Sequence, residues 1–341
     1  MNLKYILPLF MSFTLAYGQE RDTPSLSPAQ LEQHLIQAEK NFEIAEKMFD
    51  PYYTGPLLAP GVTIPDPGHV AIQPYLFYTD TYGVYDGEGH SHHIPHIHST
   101  EGDFLLFAGL TKWMGLQVNL GYVHNSQSGH SGSNWKDPSI TLLFPLLKEK
   151  PYRPGLLFGV RESFPAGKYQ HLDPDKGGVD ATGSGAYRTS FFFNIAKLVW
   201  SIPTHPMRFR LSTQYALPYH VKVHDFNAFG GGFNTNGTVR LPHSFSADFG
   251  YELSFTQKWA FALDVVYEYN SSVTFSGFSG LDRCCMCADV GGPFSERLSL
   301  APAIEYSVHD SFGFIAGPWF SVWGKNSGNF ISGVFSFYVS W

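Results

Sequence analysis

Ser244-Phe245-Ser246-Ala247-Asp248-Phe249-Gly250-Tyr251-Glu252-Leu253-Ser254-Phe255 puts an apolar or aromatic residue at every odd position and a small, polar or acidic one at every even position. Side chains of a β-strand alternate between its two faces, so this stretch is a strand with one greasy and one wet face. The pattern repeats on either side. Met207, Phe209, Leu211, Thr213, Tyr215 and Leu217 interleave with Arg208, Arg210, Ser212, Gln214 and Ala216. Trp259, Phe261, Leu263, Val265, Tyr267 and Tyr269 interleave with Ala260, Ala262, Asp264, Val266, Glu268 and Asn270. Charges that recur on one face while aromatics fill the other suit a wall between lipid and a polar lumen better than the core of a soluble sheet.

Extended along the chain, the alternation gives about twelve strands, an even number as bacterial outer-membrane barrels require. They start near residues 70, 103, 115, 135, 155, 186, 207, 243, 259, 297, 312 and 330. The connections alternate in length: Thr111-Lys112-Trp113-Met114, Thr256-Gln257-Lys258 and His309-Asp310-Ser311 are tight, whereas residues 86–102, 165–185, 224–241 and 273–296 are long. Short turns at one end and long loops at the other predict an all-β fold, a transmembrane antiparallel up-and-down barrel. The last strand alternates up to a terminal aromatic, Trp341, which reads as a signal to the barrel-assembly machinery. Trp113, Trp200, Trp259 and Phe312 also fall near the short-turn end, where an aromatic girdle would meet outer-membrane lipid headgroups.

Composition agrees. Charged residues are 15% and aromatics 16%, with 34 Gly and 19 Tyr, and the mean hydropathy of −0.12 carries no membrane signal. That is expected where lipid-facing and lumen-facing residues cancel along each strand. At the start, Lys4 followed by the apolar run of residues 5–15 and by Ala16-Tyr17-Gly18 predicts a signal peptide over residues 1–18, leaving Gln19 first. The mature chain then has 21 of the 22 basic residues against 29 acidic ones, a formal charge of −8 that excludes nucleic acid as a natural partner. Residues 19–68 are expected to hold an amphipathic helix and a linker, and residues 69–341 the barrel. Ser27-Pro28 is an N-cap with proline in the first turn, and Leu31, Leu35, Ala38, Phe42, Ala45 and Phe49 form one apolar stripe. The stripe would pack on the barrel's inner end or mouth, or else self-associate. Residues 51–67, rich in Pro and Gly, read as an extended linker.

Five stretches stand out beside the alternation: Ile72-Gln73-Pro74-Tyr75-Leu76-Phe77-Tyr78, Gly109-Leu110-Thr111-Lys112-Trp113, Phe164-Pro165-Ala166-Gly167-Lys168-Tyr169, Thr182-Gly183-Ser184-Gly185 and Gly250-Tyr251-Glu252-Leu253-Ser254. Together they resemble a family of outer-membrane transporters first noticed beside meta-pathway phenol-degradation genes. The resemblance spans most of the barrel and implies a transport role. It brings no catalytic residues, and the His-rich and Cys-rich segments depart from the family's pattern.

Period-two geometry directs Arg161, Arg188, Arg208 and Arg210 into the lumen from one arc of the wall and Asp248, Glu252, Asp264, Glu268 and Glu305 from the next. These charges either form ion pairs that fill a narrow barrel or line a hydrated pore and set its selectivity. His90, His92, His93, His96 and His98 crowd the first long loop, where neutral imidazoles could hold a transition metal or simply make a polar surface. Cys284, Cys285 and Cys287 lie too close together to staple the chain and too far from other ligands for an evident metal site. Ser184, Ser131 and His130 lie in loops, but no Gly-x-Ser-x-Gly elbow is present to support a lipid hydrolase. The expected function is passive passage of small solutes across the outer membrane, without a cofactor and with the N-terminal helix narrowing the opening. The alternative is a closed barrel whose His-rich loops bind a metal or a partner.

Overall fold

The computed structural model describes residues 27–49, 55, 57–202, 205–217 and 219–341, so the expected signal peptide lies outside the described residues. Helix α1 (Pro28–Phe49) starts where the sequence places its cap. The Ser27 backbone N–H donates to Gln30 Oε1 at 2.9 Å while the Gln30 N–H donates back to Ser27 Oγ at 3.4 Å, so two otherwise orphaned donors are satisfied reciprocally.

Sixteen strands follow in the described residues. They are β1 (Val70–Tyr85), β2 (Ser91–Thr111), β3 (Met114–Gln127), β4 (His130–Trp135), β5 (Ser139–Leu147), β6 (Gly155–Ser163), β7 (Arg188–Ile202) and β8 (His205–Ala216), then β9 (His220–His224), β10 (Asn236–Arg240), β11 (Ser244–Ser254), β12 (Trp259–Asn270), β13 (Thr274–Phe278), β14 (Ser295–His309), β15 (Phe312–Lys325) and β16 (Ser327–Ser340). Twelve of them, all except β4, β9, β10 and β13, pair antiparallel in chain order, and β16 returns to β1 through partners such as Ile72↔Val339 and Leu76↔Phe335. The closed ring removes the free edges that a sheet in lipid could not leave unpaired. At the short-turn end the Val70 and Trp341 backbones exchange hydrogen bonds of 3.1 and 3.0 Å, so the final aromatic completes the seam.

The two faces separate as period two requires. Leu76, Phe104, Leu120, Ile140, Phe193, Leu211, Phe245, Ile304, Val322 and Phe335 are exposed, one from each of ten strands, and form the lipid-facing belt. Thr141, Asn194, Glu252, Asp264, Ser299, Glu305 and Ser336 are buried on the opposite face. This is the architecture of a Gram-negative outer-membrane protein, and the outer membrane is where the chain resides.

The structure corrects the expected connections at the long-loop end. Residues 86–102 are no loop: β1 and β2 extend together to a tight turn, where the Asp86 N–H donates to His90 O and Asp86 Oδ1 accepts from the N–H groups of Glu88 and His90, each at 2.9 Å. Hydrogen bonds from the His92 ring and from the His90 N–H hold the Asp86 carboxyl well below the usual carboxylate range. The sequence missed this hairpin because both of its faces are polar, so no hydrophobic alternation marks the strand. Pro95 sits within the register shift between the Thr81 and Gly83 pairings and lies beyond Ile97, the last β2 residue paired to β3. A missing N–H there costs no ladder bond on the β3 side.

The other long connections fold back on themselves. β9, β10 and β13 make a three-stranded sheet, and Val221, Val223, Val239, Leu241 and Ala186 form a small apolar core with Tyr169, Phe229 and Phe275 packed against it. β4 adds to the upper part of β3. Asp137 pins the β6–β7 loop by accepting from the N–H groups of Ala166 and Gly167 at 3.0 and 2.9 Å and from the Ser184 N–H and hydroxyl at 2.7 and 2.8 Å. Ser184 is thus occupied as a turn residue. Cys284, Cys285 and Cys287 are exposed free thiols on the β13–β14 loop.

Candidate functional site

The segment expected to be a plain linker enters the barrel. Leu57, fully buried, packs among Ala262, Ala301, Ala303, Ile315 and Val334 of β12, β14, β15 and β16. Val62 packs among Leu143, Leu157, Phe192 and Ala196 of β5, β6 and β7. Residues 57–62 therefore cross the lumen from one wall to the other, near the short-turn end. The strap then runs back along β3 and β2 toward β1, where Pro67 bridges Gly109 and the Gly68 N–H donates to Gly109 O at 3.0 Å. Gly109 permits this approach, since a Cβ there would stand 2.2 Å from the carbonyl oxygens of Pro65 and Asp66.

Polar wall residues fix the crossing. Asp264, fully buried on β12, accepts from the backbone N–H groups of Leu58 at 2.9 Å and Ala59 at 3.3 Å. Asn194 on β7 donates to Gly61 O at 3.0 Å and accepts from Ser212 Oγ at 2.8 Å. A backbone segment inside a barrel must have its N–H and C=O groups satisfied, and the wall supplies those partners. Beneath Gly61 lies the Arg210 guanidinium, which donates to Glu252 through Nε at 2.8 Å and Nη2 at 3.1 Å. The pair is diagonal across the β8–β11 register, in which Arg210 faces Gly250 and Arg208 faces Glu252. Its two-pronged geometry satisfies both carboxylate oxygens of a side chain with no solvent exposure.

Beside the strap is a chamber of about 400 Å³. Tyr75, Phe77, Leu105, Phe107, Phe192 and Trp319 give it apolar panels, and Asp103, Asn119, Arg161, Gln214, Asp248 and Glu268 give it polar ones. Arg161 lies over the Phe192 ring at 5.5 Å and donates to Thr141 Oγ1 at 3.2 Å and Gln214 Oε1 at 3.3 Å. Glu268 accepts from Arg297, at 2.9 Å from Nε and 2.5 Å from Nη2, while that guanidinium lies over the Phe330 ring at 4.8 Å. Asp103 is paired with Lys136 at 3.2 Å. Asp248 differs, for its Oδ1 is buried and has no protein partner.

The charges singled out in the sequence thus fall into separate layers. Arg210, Glu252 and Asp264 are brought together around the strap; Glu305 is buried on β14, and Arg208 sits on β8 opposite Glu252. Arg161, Asp248 and Glu268 line the chamber. Arg188, at the start of β7, donates to Ser244 Oγ near the long-loop rim. The strap, Asn194 and the Asp103–Lys136 pair were missed. The available signal was Leu57-Leu58-Ala59, Val62 and Ile64: five apolar residues in a stretch that a solvated linker would fill with polar ones.

Among the five histidines, His96 Nδ1 stands 2.9 Å from both Asp80 oxygens and His98 Nδ1 stands 3.6 Å from Asp80 Oδ1. His92 Nε2 reaches Asp86 at 2.8 Å and His90 Nδ1 lies 3.6 Å from it, while His93 faces the Tyr82 ring at 6.5 Å.

No family model matches the chain, and no curated protein matches it either. Solved structures do. An outer-membrane channel from Pseudomonas putida F1 superposes with a TM-score of 0.60 at 12% identity, covering 82% of this chain and 97% of that one. The transport unit of the Escherichia coli autotransporter AIDA-I aligns with a TM-score of 0.46 at 8% identity over 89% and 99%, and the P. putida toluene transporter TodX with 0.35 at 13% over 86% and 94%. The first likeness is one of fold, and the other two are too loose to argue from. The resemblance noted in the sequence accordingly narrows to the outer-membrane β-barrel fold.

Proposed function

We propose that this barrel lets small solutes pass through the outer membrane without an energy source, with the strap as its constriction and the chamber as the compartment beside it. The chamber itself carries the proposal. A barrel serving only as a scaffold would fill its lumen with side chains, whereas here about 400 Å³ is left beside the strap, faced by both aromatic and charged groups. Such a surface accommodates a solute that has both an apolar body and a polar group. The strap narrows the short-turn half through Leu57 and Val62 and the Asp264 and Asn194 hydrogen bonds, so only small molecules get by.

In the same proposal the exposed Trp113, Trp259 and Trp341 lie at the lipid headgroups, and Trp341 addresses the barrel-assembly machinery. Kinship with the transporters found beside phenol-degradation genes rests on the motifs quoted above. Liposome swelling tests the function: vesicles containing the full chain should swell in small neutral sugars faster than protein-free vesicles, at a rate that falls steeply with solute size. Swelling no faster than in the protein-free control, for the smallest sugar, would reject passive passage.

A further inference from the structure

We propose that Asp80, His96 and His98 form a binding site for one divalent transition-metal ion, of the zinc, nickel or copper type, on the outer face of the β1–β2 hairpin. Among the described residues, these three alone bring ligand atoms from three His, Cys, Asp or Glu side chains within 4.8 Å of one another. The hairpin register builds the site. Asp80 and His98 are direct cross-strand partners, and His96, two residues before His98 at the edge of the register shift, reaches the same carboxylate with its ring 5.9 Å from that of His98. Donors bound at about 2.0–2.1 Å around a tetrahedral ion stand roughly 3.3 Å apart. Asp80 already lies 2.9 Å from one imidazole nitrogen and 3.6 Å from the other, so small side-chain rotations suffice.

The surroundings restrict those rings. Tyr78 stacks on His98 with centroids 6.4 Å apart and an interplanar angle of 13°, and Tyr82 lies 6.5 Å from His96. Packed rings lose less rotational freedom on binding, which is how a site is organised before its ion arrives. Two imidazoles and one carboxylate match borderline ions such as Zn²⁺, Ni²⁺ and Cu²⁺ better than Ca²⁺ or Mg²⁺, which take oxygen ligands. A fourth position stays open to water, since both histidines are more than 45% exposed. Asp80 shares the outward face with the exposed Leu76 and Tyr78, whereas Tyr75 and Phe77 line the chamber. The site is therefore independent of the proposed passage, and either can fail without the other.

Calorimetric titration of Zn²⁺ into the metal-stripped full-length barrel in detergent tests this, with native mobility on unheated gels confirming the fold of each variant. One strong site is expected. His96→Ala and His98→Ala should each weaken it at least tenfold, and Asp80→Asn, which keeps the side-chain shape, at least threefold. His90→Ala/His92→Ala should leave it unchanged, although Asp86 holds both of those rings. Wild-type affinity in His96→Ala/His98→Ala, or loss of binding in His90→Ala/His92→Ala, would overturn the assignment. Zn²⁺ should likewise raise the unfolding temperature of the wild type and not of His96→Ala/His98→Ala, because an ion that binds only the folded state stabilises it. An equal rise in both proteins counts against the site.

Discussion

Glu252 and Asp248 stand four residues apart on the inward face of β11, yet they do opposite things. Glu252 has no solvent exposure and is clamped by Arg210 beside the strap. Asp248 lines the chamber with one carboxylate oxygen unpartnered by protein. Barrel geometry treats both alike, since each points away from lipid by the same alternation. What separates them is the strap, which converts one layer of the lumen into a packed interior and leaves the neighbouring layer with room for a solute. Polar groups in the packed layer hold the strap, and those in the chamber face the space beside it.

The contrast is broken most easily at Glu252. Glu252→Gln takes away the carboxylate that clamps the Arg210 guanidinium from both oxygens, and removing one partner of a buried pair costs about 3–5 kcal/mol. A lower midpoint in urea unfolding, read by the loss of heat-modifiable mobility, is the expected result. A midpoint equal to that of the wild type would mean that this layer is hydrated after all. In the chamber, Asp248→Asn should leave the unfolding midpoint within error, because it keeps the side-chain shape and the buried Oδ1 has no hydrogen-bond partner to lose; a drop like that of Glu252→Gln would mean that the two layers do not differ. Arg161→Gln should produce the smallest effect, a displacement of ion preference toward cations as a positive charge leaves the lumen wall, since Arg161 also spends its hydrogen bonds on Thr141 and Gln214. Reversal potentials across a salt gradient measure that shift, and an unchanged preference would show that the chamber is not on the ion path.

Much of this was legible in the sequence, and for one physical reason. Lipid on one side and polar lumen on the other force strict alternation, so β11, β12 and β8 announced both their existence and their inward residues. Beyond the lipid-facing belt that force vanishes, and alternation therefore marks β2 only from near residue 103 although its backbone ladder starts at Ser91. The strap was hidden for a different reason. Pro and Gly at residues 55, 56, 60, 61, 65, 67 and 68 signal irregular backbone correctly, but composition does not say whether irregular backbone lies in water or inside a barrel. The Arg210–Glu252 pairing was half visible: alternation puts both on one face, while the diagonal reach between them depends on register.

The central claim is that the strap, held by Asp264 and Asn194, is what limits passage. Single-channel recording in planar bilayers, comparing the wild type with Asp264→Ala/Asn194→Ala, addresses it directly. Loss of the hydrogen bonds to Leu58, Ala59 and Gly61 should free the crossing and raise the conductance severalfold, with frequent switching between low and high levels as the strap leaves and returns. An unchanged conductance in a correctly folded variant would place the constriction elsewhere and contradict the account.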